Sequence, residues 1–325
     1  MENRNLDIIE ILEKVCKERG LDFRQYKKTS LERRLQKRLH ALNLKSYEDY
    51  IVRLSEDPAE YDRLIETLLI NVTEFFRDRD AFDVIRNKVL PDIMGCKADA
   101  RHKLKIWSAG CATGEEAYSM AILLNETLGN KSDNYEFSIY GTDIDKDSLE
   151  KAKAAAYRIE TVDGKIADEI LDKYFVRNGS LRVKDFVKRS CFFLFHDLVL
   201  DRPLKAMDII LCRNVAIYFE RALQEKIYLD FYNALNEDGC LFLGKAETLI
   251  GPAQENFEVI DKRWNIYKSR PLGDARLRYE RNLSRNDCHS HENGNPDSEY
   301  LGLDSRVRGN DRSKSRQNRN YSVSN

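Results

Sequence analysis

The stretch that decides the fold is Lys103-Leu-Lys-Ile-Trp-Ser-Ala-Gly-Cys-Ala-Thr-Gly-Glu-Glu-Ala117. Its first seven residues are typical of a short strand, and the helical pattern that follows runs from Glu115 to about Leu128. Gly110 and Gly114 lie between them, where backbone N–H groups are free and the absent side chains let a ligand approach closely. The stretch therefore predicts a strand–turn–helix unit whose turn is either a ligand site or a purely structural loop.

The same alternation continues along the chain. Further strands are predicted at 135–141, 207–212, 240–244 and 265–268, and helices at about 146–156 and 221–235. Strands that alternate with helices form a mostly parallel sheet covered on both faces, so we predict an α/β domain. Two short apolar segments, 181–183 and 191–195, are predicted to form a small antiparallel β insertion.

The chain divides into three parts that differ in composition and in the spacing of apolar residues. The first 80 residues carry apolar residues at helical spacing and no glycine between Gly20 and Gly95, so we predict a small all-helical domain over 1–80. The α/β domain is predicted over 81–270, with the β insertion at about 178–196. Beyond Arg270 the chain is rich in Asn, Ser, Arg, Gly and Asp, so 271–325 is predicted to be a disordered tail.

The composition excludes several classes of protein. Among 325 residues, 54 Lys and Arg nearly balance 55 Asp and Glu, which argues against a protein that coats nucleic acid over its whole surface. No apolar run approaches the roughly 18 residues that a membrane-spanning helix needs, and the first residues are unlike a signal peptide. The seven cysteines are scattered without a Cys-x-x-Cys pair, so we expect no disulfide framework and no metal site. We expect a cytoplasmic monomer.

Acidic residues follow the glycine turn and the second predicted strand. A phosphate-binding turn would continue with Lys, whereas this one continues with Glu115 and Glu116. Two carboxylates suit a cationic, hydroxyl-bearing ligand such as S-adenosylmethionine. Asp143 ends the second strand, where an acidic residue is placed to accept both ribose hydroxyls of a nucleoside. Asp145 or Asp147 is expected to cap the next helix.

Two further segments are placed to contribute to a site. Arg213 and Asn214 emerge from the apolar run of the third strand, at the edge of a parallel sheet where ligands bind. The segment 71–78 joins the helical domain to the sheet domain, and domain junctions often contain pockets. Its alternative interpretation is a linker with a packed pair, Phe75 and Phe76.

Four motifs stand in order along the chain: Asn71-Val-Thr-Glu-Phe-Phe-Arg77, Trp107-Ser-Ala-Gly-Cys-Ala-Thr-Gly-Glu-Glu116, Thr142-Asp-Ile-Asp145 and Cys212-Arg-Asn-Val-Ala-Ile-Tyr-Phe219. In order and spacing they closely resemble those of the chemotaxis receptor glutamate methyltransferases, the CheR family. The resemblance runs from about residue 23 to 268. It implies an all-helical domain followed by a class I, Rossmann-like methyltransferase domain. It also implies S-adenosylmethionine as the cofactor and S-adenosylhomocysteine as the product.

The resemblance implies cofactor contacts at matching positions. These are Asn71, Thr73, Arg77, Glu115, Asp143, Asp197, Leu198, Arg213 and Asn214. The chain departs from the family pattern at Asp197, where Asn is usual, and at Ala246, where Ser often precedes Glu247. The implied reaction moves a methyl group to a glutamate carboxylate. Because a free glutamate has a pKa of about 4.3, the nucleophile is already ionised at neutral pH and no general base is required. An arginine near the pocket is expected to hold this carboxylate.

A basic segment predicts an acidic substrate. Between Arg24 and Lys45 eight basic residues accompany a single acid, Glu32. Beside a leucine stripe, a basic face is predicted at Arg33, Arg34, Lys37 and Arg38. The resemblance implies that this face binds the methylation helices of chemoreceptors. The helix carries no Phe, Tyr or Trp to stack on bases, so we expect no nucleic acid.

Two alternatives to receptor methylation stay open at this point. One is a related methyltransferase that acts on a small molecule or nucleic acid, and the other is a catalytically silent protein that binds S-adenosylmethionine.

The β insertion bears on how the receptor is bound. By resemblance, family members that hold a tethering peptide of the receptor have a longer glycine-containing loop in the β insertion. The short turn at Asn178-Gly-Ser180 therefore predicts an enzyme that needs no tether.

Overall fold

The structure, a computed structural model, describes residues 2–96, 102–129, 135–162 and 166–271. Its N-terminal part is built from helices α1 (Glu2–Arg19), α2 (Lys28–Ala41), α3 (Tyr47–Glu56) and α4 (Ala59–Leu68). Their apolar faces meet in one core, in which Ile11, Leu35, Tyr50 and Leu64 are fully buried. Ser46 caps α3 by accepting the N–H of Asp49 at 3.1 Å. The predicted all-helical domain is confirmed.

The rest of the described chain alternates strands and helices. The elements are α5 (Arg79–Val84), α6 (Leu90–Cys96), β1 (His102–Ala109), α7 (Glu115–Leu128), β2 (Tyr135–Asp143), α8 (Lys146–Ala154), β3 (Ala156–Tyr157), α9 (Asp168–Tyr174), β4 (Phe175–Arg177), β5 (Leu181–Val183), α10 (Asp185–Lys188), β6 (Cys191–Phe195), β7 (Met207–Cys212), α11 (Arg221–Ala234), β8 (Leu235–Leu243), β9 (Phe257–Asp261) and β10 (Ile266–Ser269). A π-helical turn, Ile85–Val89, connects α5 to α6. The domain boundary predicted between residues 80 and 81 lies within α5 and stays a prediction. Of the predicted tail, 271–325, all but Pro271 lies outside the described residues.

The main sheet has the strand order β6-β2-β1-β7-β8-β10-β9. The first five strands are parallel, and β10 runs antiparallel to both of its neighbours. Ile106 of β1 lies beside Ile139 of β2 and Ile209 of β7, so the chain runs outward in both directions from β1. Such a reversal leaves a crevice at the carboxyl ends of the strands, where ligands bind in open α/β sheets. The predicted α/β class with a mostly parallel sheet is confirmed.

Helices cover the sheet on both faces. On one face α7 packs its buried residues, among them Tyr118 and Ile122, onto the strands. On the other face α11 packs Tyr228 and Phe231 against Trp107 of β1. Trp107 also donates its indole N–H to the Thr142 hydroxyl at 2.8 Å, which ties β1 to β2 inside the core. These contacts hold the carboxyl ends of β1, β2 and β7 at one edge.

The predicted β insertion exists, but its second strand was wrongly assigned. The small antiparallel sheet has the order β3-β5-β4 and is built within 156–183. Residues 191–195 form β6, which pairs in parallel with β2 as an edge strand of the main sheet. The mistake has a physical reason, because a short apolar run suits either setting. The segment that connects β2 to β6 folds into α8 and the small sheet, and this is the long crossover that parallel strands require.

A short extended segment of the helical domain joins the second domain. Tyr26 and Phe219 form an isolated antiparallel bridge, and their rings meet edge to face at 4.8 Å between centroids. The N–H of Lys27 donates to the carbonyl of Tyr218 at 2.8 Å. We call this contact the Tyr26–Phe219 bridge. Among the described helices, none is both long and apolar enough to cross a membrane.

Candidate functional site

Two adjoining pockets open where the helical domain meets the carboxyl ends of the strands. They share Ile70, Gly110, Asn214 and Val215. Of the predicted cofactor contacts, the first pocket is also lined by Asn71, Asp143, Asp197 and Leu198. The second pocket is also lined by Thr73, Arg77 and Arg213. The structure thus brings eight of the nine predicted residues to pocket walls, while their contact with a cofactor stays a prediction.

The ninth residue, Glu115, lines neither of these two pockets. It is buried and accepts the hydroxyl hydrogen of Thr113 at 2.6 Å, and burial raises the pKa of its carboxyl. The neighbouring Glu116 lines the second pocket instead and accepts a hydrogen bond from Ser108 at 2.7 Å. Consecutive residues of a helix point about 100° apart, so one of two adjacent glutamates faces the pocket and the other faces the protein. The sequence pattern alone did not distinguish them.

The glycine turn packs closely on the loop after β7 and contributes Gly110 to both pockets. Gly110 has φ +74°, and a Cβ atom at this position would lie only 2.4 Å from a methyl carbon of Val215. The carboxylate of Asp143 accepts the N–H groups of Ala112 at 2.8 Å and Asp145 at 2.9 Å. Burial raises the pKa of Asp143, and these two bonds oppose that effect. Each oxygen keeps a further lone pair, so the carboxylate is oriented and still able to accept ligand hydroxyls.

Asp145 links the domain junction to the sheet. Its side chain caps α8 by accepting the N–H groups of Asp147 at 2.9 Å and Ser148 at 3.3 Å, as one of the two predicted alternatives requires. The same carboxylate accepts a hydrogen bond from the side-chain amide of Asn71. Asn71 is thereby positioned at the first pocket by the capping residue of α8.

The side chain of Asp197 forms a hydrogen bond within its own loop. One carboxylate oxygen accepts the N–H of Val199 at 2.7 Å, and the N–H of Asp197 donates to Asp201 at 2.8 Å. Burial raises the pKa of the Asp197 carboxyl. The residue lines the first pocket, but its carboxylate serves mainly to shape the loop after β6.

Arg213 joins three parts of the site through its guanidinium group. It donates to Asp78 at 2.6 Å, to the carbonyl of Arg77 at 2.9 Å and to Glu116 at 3.3 Å. Its side chain is 2% exposed, and the guanidinium carbon lies 4.5 Å from the centre of the Phe242 ring. The charge of Arg213 is therefore balanced by two carboxylates, one from the junction and one from α7.

A buried carboxylate that the sequence analysis did not assign holds the loop after β7. Glu247 accepts the N–H groups of Asn214, Val215, Ala216 and Gly244 at 2.6 to 2.9 Å. These bonds hold Asn214 at φ +61°, in the left-handed region. In the part of the chain that the structure describes, the buried Oδ1 atom of Asn214 has no hydrogen-bond partner. A ligand donor in the pocket would satisfy it.

The basic helix differs from its prediction in two of four residues. Arg33 and Lys37 are exposed, whereas Arg34 is 6% exposed and lines the first pocket. Arg38 forms a two-pronged ion pair with the buried carboxylate of Glu60, at 2.5 and 2.6 Å. Positions 34 and 38 are one helical turn apart, so both point to the interior side of α2. The exposed basic face predicted at all four positions is wrong for Arg34 and Arg38.

Comparison with known families agrees with this geometry. Residues 6–69 match the model described as "CheR methyltransferase, all-alpha domain", and residues 71–266 match "CheR methyltransferase, SAM binding domain". The chain belongs to the CheR methyltransferase family. The predicted family and cofactor are thereby confirmed, and S-adenosylmethionine is the cofactor of this CheR methyltransferase.

Named relatives span most of the chain. It is 30% identical over 252 residues to the chemotaxis protein methyltransferase of Listeria innocua, covering 78% of this chain and 94% of that protein. It is 32% identical over 247 residues to that of Salmonella typhimurium, covering 73% and 81%. It is also 32% identical to an uncharacterized 104.1 kDa protein of Rhodobacter capsulatus, where the match covers 79% of this chain but 27% of that protein.

The residues present fit the cofactor of this CheR methyltransferase. Asp143 and Glu116 supply carboxylates, and Asn214 supplies an unpartnered acceptor. A ligand with ribose hydroxyls, an ammonium group and a sulfonium charge offers donors and positive charge to match them. Asp143 would hold the ribose, and Glu116 with Asn214 would face the charged end. When bound, the cofactor supplies an electrophilic methyl group.

Proposed function

We propose that this CheR methyltransferase transfers a methyl group from S-adenosylmethionine to glutamate side chains of chemoreceptors, giving glutamate methyl esters and S-adenosylhomocysteine. The observation that carries the proposal is the position of Arg34. The helical domain contributes this buried cation to the wall of the first pocket. A guanidinium beside the cofactor pocket suits a carboxylate as methyl acceptor.

The guanidinium of Arg34 is only partly satisfied by its surroundings. One nitrogen donates to the carbonyl of Leu68, and the group lies 5.0 Å from the centre of the Tyr218 ring. Within the described residues the other terminal nitrogen has no hydrogen-bond partner, and no carboxylate acts on the charge of Arg34. Burial lowers the pKa of Arg34, yet an arginine stays charged at neutral pH. A glutamate carboxylate would satisfy the free donors and balance the charge.

The protein's task in the reaction is positioning. A glutamate side chain is ionised at neutral pH, so no residue needs to remove a proton. Arg34 would orient the carboxylate oxygen, and Arg213 and Glu247 would keep the opposite pocket wall in place. Alignment of two reactants in one site can supply roughly 7–11 kcal/mol of the barrier reduction.

The rim of the site supports a protein substrate over a small molecule. Ile70 and Val72, which line the pockets, are 38% and 75% exposed. Arg33 and Lys37 add exposed positive charge on α2. Exposed apolar residues and exposed positive charge together suit an amphipathic helix that carries glutamates. We therefore propose chemoreceptor methylation helices as the partner.

The test is a methylation assay with labelled S-adenosylmethionine and purified cytoplasmic domains of candidate receptors. We expect label to enter the receptor and to be released by mild alkali as methanol, as a carboxylate ester requires. Alkali-stable label would indicate another acceptor group. Cofactor binding without transfer to any candidate would support the catalytically silent alternative.

A matched pair of variants tests the role of Arg34. The change Arg34→Gln removes the buried charge, and we expect a 10- to 100-fold slower transfer, the equivalent of about 1.5–3 kcal/mol for a hydrogen bond to a charged group. The affinity for S-adenosylhomocysteine should change much less. The neighbouring exposed residue provides the control, since Arg33→Gln should slow transfer less than about threefold. Equal effects of the two changes would contradict the assignment.

A further inference from the structure

A buried imidazole on the wall of the first pocket has a free acceptor atom. His196 follows β6 and is 8% exposed. The backbone N–H of His196 donates to the backbone carbonyl of Asp143 at 3.1 Å, so His196 lies beside the residue expected to hold the ribose. Family membership does not give this histidine a role, and the sequence analysis did not single it out.

The hydrogen bonding of His196 determines which ring nitrogen carries the proton. The Nε2 atom lies 3.0 Å from the carbonyl oxygen of Arg202. A carbonyl oxygen can only accept, so Nε2 is the donor and Nδ1 of the neutral ring keeps its lone pair. The Nδ1 atom is buried and, among the residues described, has no hydrogen-bond partner. Nδ1 is therefore an unpartnered acceptor of a residue that lines the first pocket, whereas Nε2 donates to the loop.

Packing limits the freedom of this ring. It meets the Trp107 ring edge to face, with 5.3 Å between centroids and 83° between planes. Rotation of the imidazole would break the bond to Arg202 and this aromatic contact. A buried acceptor without a donor costs free energy in the absence of a ligand. The contacts of the ring thus fix Nδ1 in position and leave it without a donor among the described residues.

The position of His196 indicates which part of the cofactor it meets. Glu116 and Arg77 line the second pocket, while Asp143 and His196 line the first. β6 lies one strand beyond β2, on the side away from β7. If Asp143 takes the ribose and the charged end of the cofactor lies toward Glu116, the base lies toward His196. The donor that a neutral adenine offers is its exocyclic amine.

We propose that His196 is a specificity-determining residue whose Nδ1 atom accepts a hydrogen bond from the exocyclic amine of the cofactor's adenine. The neighbouring carboxylate of Asp197 is already bonded to the N–H of Val199 within its own loop. On this assignment the imidazole of His196, and not the carboxylate of Asp197, accepts the hydrogen bond of the adenine amine. This assignment depends on the cofactor alone and not on the identity of the methyl acceptor.

The test compares two ligands that differ at the atom in question. S-Inosylhomocysteine has a carbonyl oxygen in place of the amine of S-adenosylhomocysteine, so two acceptors would face each other at His196. We expect calorimetry on the full chain to show at least tenfold weaker binding of the inosine compound. Equal affinity of the unaltered protein for the two compounds would overturn the proposal without any variant.

Two substitutions test the two ring nitrogens of His196 one at a time. The amide oxygen of the His196→Asn variant can occupy the place of Nδ1, so the preference for adenine should persist. The amide of His196→Gln can reach Arg202 like Nε2 but leaves no acceptor at the Nδ1 position, so the preference should fall to within about threefold. Retention of the full preference in His196→Gln would overturn the proposal.

A change at the ribose-binding residue serves as the control, and a deoxyribose analogue tests whether Nδ1 contacts the ribose instead. The change Asp143→Asn should weaken binding of both compounds by similar factors and leave their ratio unchanged. If Nδ1 instead accepted a ribose hydroxyl, His196→Gln would reduce the penalty for a 2′-deoxy analogue and leave the inosine penalty intact. That pattern would contradict the adenine contact. Because the readout is binding, it is independent of methyl transfer.

Discussion

The carboxylate of Glu247 accepts the backbone N–H of Asn214 at 2.6 Å, across 33 residues of sequence. Three further N–H groups, those of Val215, Ala216 and Gly244, converge on the same carboxylate. The Glu247 carboxylate thus satisfies the backbone N–H groups of this loop, as hydrogen bonds to a neighbouring strand satisfy them in a sheet. Asn214, at the boundary of both pockets, depends on it.

Glu247→Gln should weaken both the fold and the site. The variant keeps the shape of the side chain but turns an NH₂ group toward N–H donors that can no longer be satisfied. We expect a loss of about 1–3 kcal/mol in unfolding free energy. Affinity for S-adenosylhomocysteine should also fall, because the loop of Asn214 loses its anchor. Urea unfolding and calorimetry measure the two effects. The exposed Glu258 provides the control, since Glu258→Gln should alter neither quantity appreciably.

The Arg38–Glu60 pair should make the helical domain sensitive to acid. Burial would raise the pKa of Glu60, but hydrogen bonds from Arg38 and Tyr50 outweigh it and hold that pKa below its ordinary value. A depressed carboxyl pKa contributes stability above the pKa of the unfolded chain, and this contribution is lost as pH falls through the folded value.

Glu60→Gln tests this contribution. It leaves Arg38 without its carboxylate partner, and we expect a loss of about 3–5 kcal/mol at pH 7, as for other broken buried pairs. The difference between the variant and the unaltered protein should shrink as pH falls from the pKa of an unfolded glutamate, about 4.3, through the lower folded pKa of Glu60. Glu66→Gln removes an exposed charge from the same helix and serves as the control. A stability difference that does not depend on pH would contradict the ionic role.

Reversal of the exposed basic pair should affect only the receptor. Arg33→Glu with Lys37→Glu places negative charge opposite an acidic substrate, so KM for the receptor should rise severalfold and affinity for S-adenosylhomocysteine should stay constant. Methylation by the unaltered protein should also slow as salt rises. The same charge change at Lys151 and Lys153, on α8, is the control. Insensitivity to both salt and the reversal would show that this surface is merely solvated.

The short turn of the small sheet predicts that no receptor tether is needed. The turn between β4 and β5 consists of Asn178, Gly179 and Ser180, closed by a hydrogen bond of 3.0 Å from the N–H of Asn178 to the carbonyl of Ser180. It offers little loop to enclose a peptide. Tethering raises effective concentration, so an enzyme without it should methylate a receptor lacking its C-terminal tail at an unchanged rate. A severalfold slower rate, or micromolar binding of a tail peptide, would disprove this.

Residues at the ends of parallel strands were the most predictable part of the site. Asp143 ends one predicted strand and Arg213 follows another, and the carboxyl ends of parallel strands meet at one edge. Their positions followed from the pattern of the sequence. Their hydrogen bonds did not, since those depend on which distant residues face the same edge.

Other parts of the site depend on contacts that no local pattern encodes. The sequence pattern of α2 predicts that Arg34 is exposed, and only the packing of α2 on the second domain buries it. His196 becomes notable only because Arg202 takes one of its nitrogens and leaves the other free. β6 was misassigned because its pairing is decided by the crossover that precedes it. In each case long-range packing, not propensity, determines the outcome.

The Tyr26–Phe219 bridge implies an order of events on the ribosome. Its two residues are separated by roughly 190 positions, so about 10 to 40 seconds of synthesis, at about 5–20 residues per second, must elapse before they can meet. The nascent helical domain can fold early, but the first pocket lacks a wall until Phe219 has emerged. The cofactor can therefore stabilise only a chain that already contains at least four of the seven strands of the main sheet, and it cannot assist the early steps of folding during translation.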